Sequence, residues 1–282
     1  MRNQRNVSLK NTVSVPASDY LQFQFHEASG STAAYTGKLS GVAVSDTITL
    51  AGAVTNAWDD RGWLEPDVVS GSYTLIPDGT NLPFENFFRS DNLAGDGMLV
   101  LYTHKHAGTP PTGILFRYGT SGARGGWYLN LTVGANLNFE LNVKEEGATA
   151  AISAKKAIAV PISGTTTVGA YISGNSTGLD TEGTARLAVN GDSAGADTDD
   201  ISAITQRGLL VDDGIGIMAG SDFGATSPQS GVNIGGSSGN EHFIHGLTFI
   251  RVSGGLSVTE LATILQQHAD NPREIPLGLN GK

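Results

Sequence analysis

The sequence predicts an all-β protein: an antiparallel two-sheet sandwich with a short C-terminal helix. Three observations carry that expectation. Apolar and polar residues alternate through many short runs, which is the two-residue period of a strand with one buried face. Glycine supplies 38 of 282 residues, about twice its usual share, and it falls mostly between those runs, where turns need it. No stretch before residue 255 has helical period, whereas the stretch after it does.

In chain order, residues 1–18 read as an N-terminal arm. "YLQFQFHEASGS" is a strand with Leu21, Phe23 and Phe25 on one face and Gln22, Gln24 and His26 on the other. "GVAVSDTITLAGAV" reads as two weaker strands, and "DDRGWLEPDVVSG" as a loop holding Trp63. A strand is expected around Phe87–Phe88 and another from Met98 to about His106. The adjacent prolines of "GTPPTG" mark a loop, since neither can donate to a ladder. "ILFRYG", "GWYLNLTV", "NLNFELNV", "KKAIAVPIS", "TVGAYISG" and "ARLAVNG" follow as strands, the last ending at Asn190-Gly191, a pair that suits a tight hairpin turn. "GIGIMAGS", "GVNIGGSS" and "HFIHGLTFIRVSGG" complete the run. Nothing marks an interior linker, so residues 19–272 read as one domain.

The helix has explicit start and stop signals. Ser257 stands at the N-cap and Glu260 completes a capping box. Leu256 and Leu261 can staple the entry. Leu261, Ile264, Leu265 and His268 share one face, and Pro272 forbids continuation. The expected span is 257–269, lying on the domain's own edge, with a tail over 273–282.

Charged residues are 16% of the chain, against the roughly 25% usual for soluble domains. Formal net charge is −10, whereas nucleic-acid-binding domains are normally basic, so nucleic acid is excluded as a partner. The one basic stretch is the N-terminal arm, where Arg2, Arg5 and Lys10 could dock on an acidic neighbour. There is no cysteine, which excludes disulfides, thiolate catalysis and Cys-ligated zinc. No apolar run reaches the ~18 residues of a membrane span, and no secretory h-region opens the chain. These features predict a chain made in a host cytoplasm with no membrane insertion.

The order of these pieces resembles the concanavalin A-like, laminin-G-like jelly rolls. "YLQFQFHEASGS" is similar to their opening strand, and "GWYLNLTVGANLNFELNV" to their central strand pair. "TVGAYISG" with "ARLAVNGD" resembles their paired strands around an Asn-Gly hairpin. "GVNIGGSSGNEHFIHGLTFIRVSGGLSVTELATIL" resembles their Gly-rich turn, last strand and closing helix. The resemblance spans about residues 19–270. It implies two antiparallel sheets, one often concave, on a fold that serves lectins, glycosidases, adhesion modules and virion proteins alike.

Glycosidase chemistry needs paired carboxyl groups, about 5–5.5 Å apart in retaining enzymes. "NFELNVKEEG" offers Glu140, Glu145 and Glu146. Glu140 and Glu146 lie about 20 Å apart along a strand at ~3.3 Å per residue, and Glu145 points the other way, so no catalytic residues are expected. For metals, His104 with His106, and His242 with His245, are two pairs of imidazoles suited to zinc or nickel. No cofactor is expected, with Ca2+ the one ion that acidic loops of this fold would suit. Asp197, Asp199 and Asp200 are the candidate ligands, beside "VDDG" and "WDDRG". Sugar binding needs aromatic faces, for which Trp58, Trp63, Trp127 and Tyr128 are the candidates, although aromatics total only 7%.

The expectation from these readings is a non-enzymatic structural or attachment protein of a bacteriophage virion: a capsid decoration or head-fibre accessory, or a tail-fibre or baseplate component. Its partners would be other virion proteins, further copies of itself in a homo-oligomer, and cell-surface glycan. The alternative is a free carbohydrate-binding module or lectin.

Overall fold

The computed structural model describes residues 19–23, 32–52, 73–76, 96–106, 113–119, 126–133, 137–144, 152–158, 164–173, 183–190, 197–202, 215–217, 242–253 and 255–270. Among these lie fourteen strands and one helix. The first strands are β1 (Tyr20–Phe23), β2 (Thr32–Leu39), β3 (Val42–Gly52) and β4 (Tyr73–Ile76). Next come β5 (Asp96–His106), β6 (Gly113–Gly119), β7 (Gly126–Val133), β8 (Leu137–Lys144) and β9 (Ile152–Ile158). The last strands are β10 (Gly164–Ile172), β11 (Thr184–Val189), β12 (Asp197–Asp200), β13 (Ile215–Ile217) and β14 (His242–Ser253). Helix α1 (Val258–Asp270) follows. The strands expected at Phe87–Phe88 and "GVNIGGSS", the arm 1–18 and the tail 273–282 lie outside the described residues.

All fourteen strands are antiparallel neighbours in one strip, ordered β12-β11-β10-β5-β14-β1-β2-β3-β4-β13-β6-β7-β8-β9. The strip doubles over, so that β9 lies against β11 and β12, and β8 against β11. Across the interior, the ring of His104 in β5 meets that of Phe139 in β8 edge-on at 6.2 Å. The two sheets of the expected sandwich are therefore two layers of one ribbon. Strand β3 makes the corner. It pairs with β2 along 42–49 and with β4 along 49–52, changing partners at Thr49.

The middle of the first layer is buried on both sides, as β5 shows, whereas β2 and β12 alternate with exposed positions. "GMLVLYTH", residues 97–104, is buried throughout, which explains a nearly continuous apolar run where a half-exposed strand would alternate. Met98, Val100, Tyr102 and His104 share one side of the strand, and by register so do Phe249 of β14 and Ala170 of β10. Phe23 meets Tyr35 at 5.4 Å and Phe249 edge-on at 6.2 Å within this interior. On the opposite side Leu99, Leu101, Tyr171, Ala188, Ile250 and Val252 form a second cluster with Leu256, Leu261, Ile264 and Leu265. Helix α1 thus covers the outer face of β5, β10 and β11, a broad sheet surface where only an edge was expected. Gly169 lets it approach: a Cβ there would stand 3.0 Å from carbons of both Leu261 and Leu265.

The capping box forms as expected. The Glu260 carboxylate accepts from the Ser257 backbone N–H at 2.8 Å, and Glu260 N–H donates to Ser257 Oγ at 3.3 Å. Leu256 and Leu261 are both buried.

Three readings of the chain change. Residues 32–39, unassigned in the sequence, form β2, whose buried positions Ala33, Tyr35 and Gly37 are mostly too small to show as a hydrophobic stripe. "VAVSDTITLAG" is one strand, β3, because its far half pairs with β4 and needs no break. The two-residue turn lies at Ser40-Gly41, both at positive φ (50° and 79°), between β2 and β3. At Asn190-Gly191 the hairpin between β11 and β12 exists, but its strands are joined by residues 190–196, and Asn190 N–H donates to Thr167 O of β10 at 2.9 Å.

One ion pair ties the Ser40-Gly41 hairpin to the last strand. Asp19 and Arg251 side chains are 6% and 9% exposed, with Nη1 3.9 Å from Oδ2. Gly41 N–H donates to the other Asp19 oxygen at 3.4 Å, and Arg251 N–H donates to the Asp19 carbonyl at 2.9 Å.

Candidate functional site

The second layer has one apolar face and one polar one. Leu129 and Leu131 of β7 and Leu137, Phe139, Leu141 and Val143 of β8 are all buried. Between them stand Asn130, Thr132, Asn138, Glu140 and Asn142, on the other side of the pleat. Thr132 is exposed, Asn130, Asn138 and Glu140 are half-buried, and Asn142 is buried. The ladder sets Asn130 opposite Glu140 and Thr132 opposite Asn138. Lys155 of β9 is the residue on the far side of Glu140. One row along, Arg117 of β6, Tyr128 of β7 and Asn142 of β8 stand in line. Adjacent strands are ~4.8 Å apart, and same-face residues on one strand ~6.8 Å apart. The face is therefore a grid of donors and acceptors on the scale of one sugar ring.

The aromatic neighbours of β7 fall on opposite sides. Trp127 shares its ladder row with Val143 and Tyr118. Tyr128 takes a position on the polar face. Trp58 and Trp63 lie outside the described residues, as do Arg2, Arg5 and Lys10.

Asp197, Asp199 and Asp200 were expected in a loop and stand instead on β12, at one end of the strip. Alternation sends Asp197 and Asp199 to one face and Asp200 to the other. Asp199 accepts the Asp200 N–H at 2.8 Å, and Asp200 accepts the Ser202 N–H at 2.8 Å. Among the described residues no three His, Cys, Asp or Glu side chains cluster as a metal site. Charge on a terminal strand discourages pairing with another sheet, a structural reason for three acids there.

Glu140 has Asn130 and Lys155 as cross-strand neighbours and Asn138 and Asn142 along its own strand. None of these positions supplies the second carboxyl group that glycoside hydrolysis requires. Glu145 and Glu146 lie outside the described residues.

The histidines are regrouped by the fold. The sequence pairs His104 with His106 and His242 with His245. The β5–β14 ladder sets His106 directly opposite His242, and His104 opposite Ile244. The register shifts between Ile244 and Gly246, which leaves His245 in a bulge without a ladder partner. His104 is fully buried, 5.5 Å from the Tyr102 ring. Burial raises the Tyr102 hydroxyl above its ordinary range, and that hydroxyl has no hydrogen-bond partner among the described residues.

Sequence reasoning missed Asn130, Asn138 and Asn142 as a group. Their signal was present in "NLNFELNV", whose polar positions alternate with the apolar ones.

No protein-family model matches the chain, and no curated protein matches it. Solved structures do. The "HCR/D-Sa-GBL1/C" crystal structure superposes with a TM-score of 0.50 at 9% identity, over 91% of this chain and 52% of that one. The botulinum neurotoxin serotype C1 binding domain gives 0.49 at 10% identity, with the same coverages of 91% and 52%. The Ruminococcus gnavus IT-sialidase CBM40 gives 0.39 at 17% identity, over 61% of this chain and 84% of that one. The chain thus spans about half the length of the first two. At 9% identity the likeness is one of fold, and function has to be argued from the site. No described helix is long and apolar enough to cross a membrane.

Proposed function

We propose that this chain is a non-enzymatic attachment protein that holds glycan on the polar face of its second layer. The observation that supports it is the contrast between the two outer faces. One is apolar and covered by α1; the other carries Asn130, Thr132, Asn138 and Glu140 at regular ladder positions, half-buried or exposed. Amides and carboxylates in such an array match the paired donors and acceptors of sugar hydroxyls, and Tyr128 supplies an aromatic residue on the same face. The carboxylate geometry favours binding over hydrolysis, since Glu140 has no acidic ladder neighbour.

Glycan-array binding by the full chain tests this. Binding should be lost in an Asn130→Ala/Glu140→Ala double variant and in Tyr128→Ala, and kept in Ser45→Ala, an exposed position on β3. Unchanged binding in the double variant would remove the site from this face. Turnover of a polysaccharide that disappears in Glu140→Gln would make the chain an enzyme.

The setting we propose is a bacteriophage particle, with further copies of the chain and other virion proteins as partners. Low charge, abundant glycine, absence of cysteine and a basic first segment support it. Weak contacts repeated by symmetry would then supply avidity. Purified particles carrying the chain at a fixed copy number are the expected result. A calcium-dependent monomer absent from particles would instead favour a free lectin.

A further inference from the structure

We propose that the open edge of β3, beside the Ser40-Gly41 turn, pairs antiparallel with the same edge of a second copy of this chain, about a two-fold axis at Val44. The inference rests on the self-association part of the proposed function and is independent of glycan binding. Strand β3 pairs with β2 along 42–49 and with β4 only along 49–52, so among the described residues no strand pairs with its far edge over 42–47. The two-residue turn makes Leu39 and Val42 the closing hydrogen-bonded pair. Backbone groups of Val42, Val44 and Asp46 therefore point to β2, and those of Ala43, Ser45 and Thr47 point outward. The Thr47 N–H agrees with this, since it donates to Asp46 Oδ1 at 2.8 Å. Val42 is 65% exposed, Ala43, Ser45 and Asp46 are exposed, and Val44 is half-buried.

Charge and register favour a second copy as the occupant. Strand β12, at one end of the strip, carries three acids in four residues, which discourages pairing. Residues 42–45 of β3 carry no charge and no proline, so an acidic chain of net charge −10 can approach its own copy there. The edge is also complementary to itself. With Val44 on the axis, Ala43 stands opposite Ser45 of the partner subunit and Ser45 opposite the partner's Ala43, each pair exchanging two backbone hydrogen bonds. Val44 meets the partner's Val44, and Val42 faces the partner's Asp46. The two Asp46 positions are then four residues out of register, about 14 Å apart at ~3.4 Å per residue, beyond the ~8 Å screening length at physiological salt. Asp46 keeps its bond to Thr47 throughout. Four hydrogen bonds and a valine pair make a small contact, so the dimer is weak and dissociates on dilution.

Sedimentation of the full chain from micromolar to millimolar concentration should show a monomer–dimer equilibrium. Ser45→Pro removes an outward N–H and leaves the β2 ladder its bonds. It should weaken the dimer about tenfold or more, with glycan binding unchanged. Val42→Lys, opposite the partner's Asp46, should tighten the dimer about threefold, and Val42→Asp should weaken it by a similar factor. Amide exchange of the unsubstituted chain needs no variant: Ala43 and Ser45 should exchange more slowly as concentration rises. A monomer at every concentration, association untouched by Ser45→Pro, or equal effects of Val42→Lys and Val42→Asp would overturn the proposal. So would a monomer that takes up an extended peptide on this edge, which would give the edge to another protein. A monomer in solution, carried in particles at a fixed copy number, would sink this pairing and leave the particle reading standing.

Discussion

The outer face of the first layer and the outer face of the second are built from the same ladder geometry and carry opposite chemistry. On the first, Leu99, Leu101, Tyr171 and Ile250 pack beneath Leu261, Ile264 and Leu265 of α1. On the second, Asn130, Thr132, Asn138 and Glu140 occupy the equivalent outward positions. The first face is committed to stability: its apolar surface is removed from water by a helix of the same chain. The second exposes Thr132, keeps Asn130, Asn138 and Glu140 half-buried, and buries Asn142, so polar residues stand where the first face has apolar ones. A sandwich can separate folding from function in this way because each strand shows its two faces to different surroundings.

The largest effect expected is on the covered face. Leu261→Ala or Leu265→Ala should lower stability by about 2–5 kcal/mol in urea denaturation, with glycan binding by the folded fraction unchanged. Loss of binding on this side would make the helix part of the site and end the division. Asp19→Ala should cost about 3 kcal/mol, because it leaves the Arg251 charge nearly buried beside the hairpin it anchored. A second change, Arg251→Met, should recover much of that loss, and failure to recover would show that packing, not charge, holds the corner. Ser257→Ala should cost about 1 kcal/mol through the lost cap.

Tyr102 gives a pH dependence inside the sandwich. Its folded pKa is raised above the ordinary value near 10 by burial. Above pH 10 the unfolded chain therefore releases a proton that the folded chain retains. Stability is intact below that pH and falls above it, by at most about 1.4 kcal/mol per pH unit from this group. Tyr102→Phe should remove that part of the alkaline slope in urea melts at pH 9 and pH 11. At neutral pH it should leave stability unchanged or slightly raised, since the hydroxyl makes no hydrogen bond to a described residue. An identical slope in the variant would show that the hydroxyl ionises freely. The smallest effect is expected on the polar face, where Asn130→Ala and Asn138→Ala should change stability by no more than about 0.5 kcal/mol.

Most strands were legible because alternation survives in single sequences: "GWYLNLTV" and "LNFELNVK" show their two faces without any neighbour. The helix was legible to within a residue, since Ser257, Glu260 and Leu261 act locally. Strand β2 was not, because its buried glycine answers to another strand. A Cβ at Gly37 would collide with the Tyr20 carbonyl oxygen and approach Leu21 Cδ2 to 2.8 Å. The aspartates of β12 mimic a loop because three acids in four residues suit a strand only at the end of a sheet. Of the candidate glycan site, Tyr128 was named in advance, and its polar companions were present but unread.

The linear order of residues by itself determined the all-β class, the identity of most strands, the capped helix and which residues share a strand face. These depend on periodicity and on hydrogen bonds spanning a few residues. Only the tertiary structure decided that one ribbon forms both layers, that α1 lies on β5, β10 and β11, and that β5 and β14 pair in the register they do. Those outcomes depend on register between strands far apart in the chain, and register is set by which faces can be buried together.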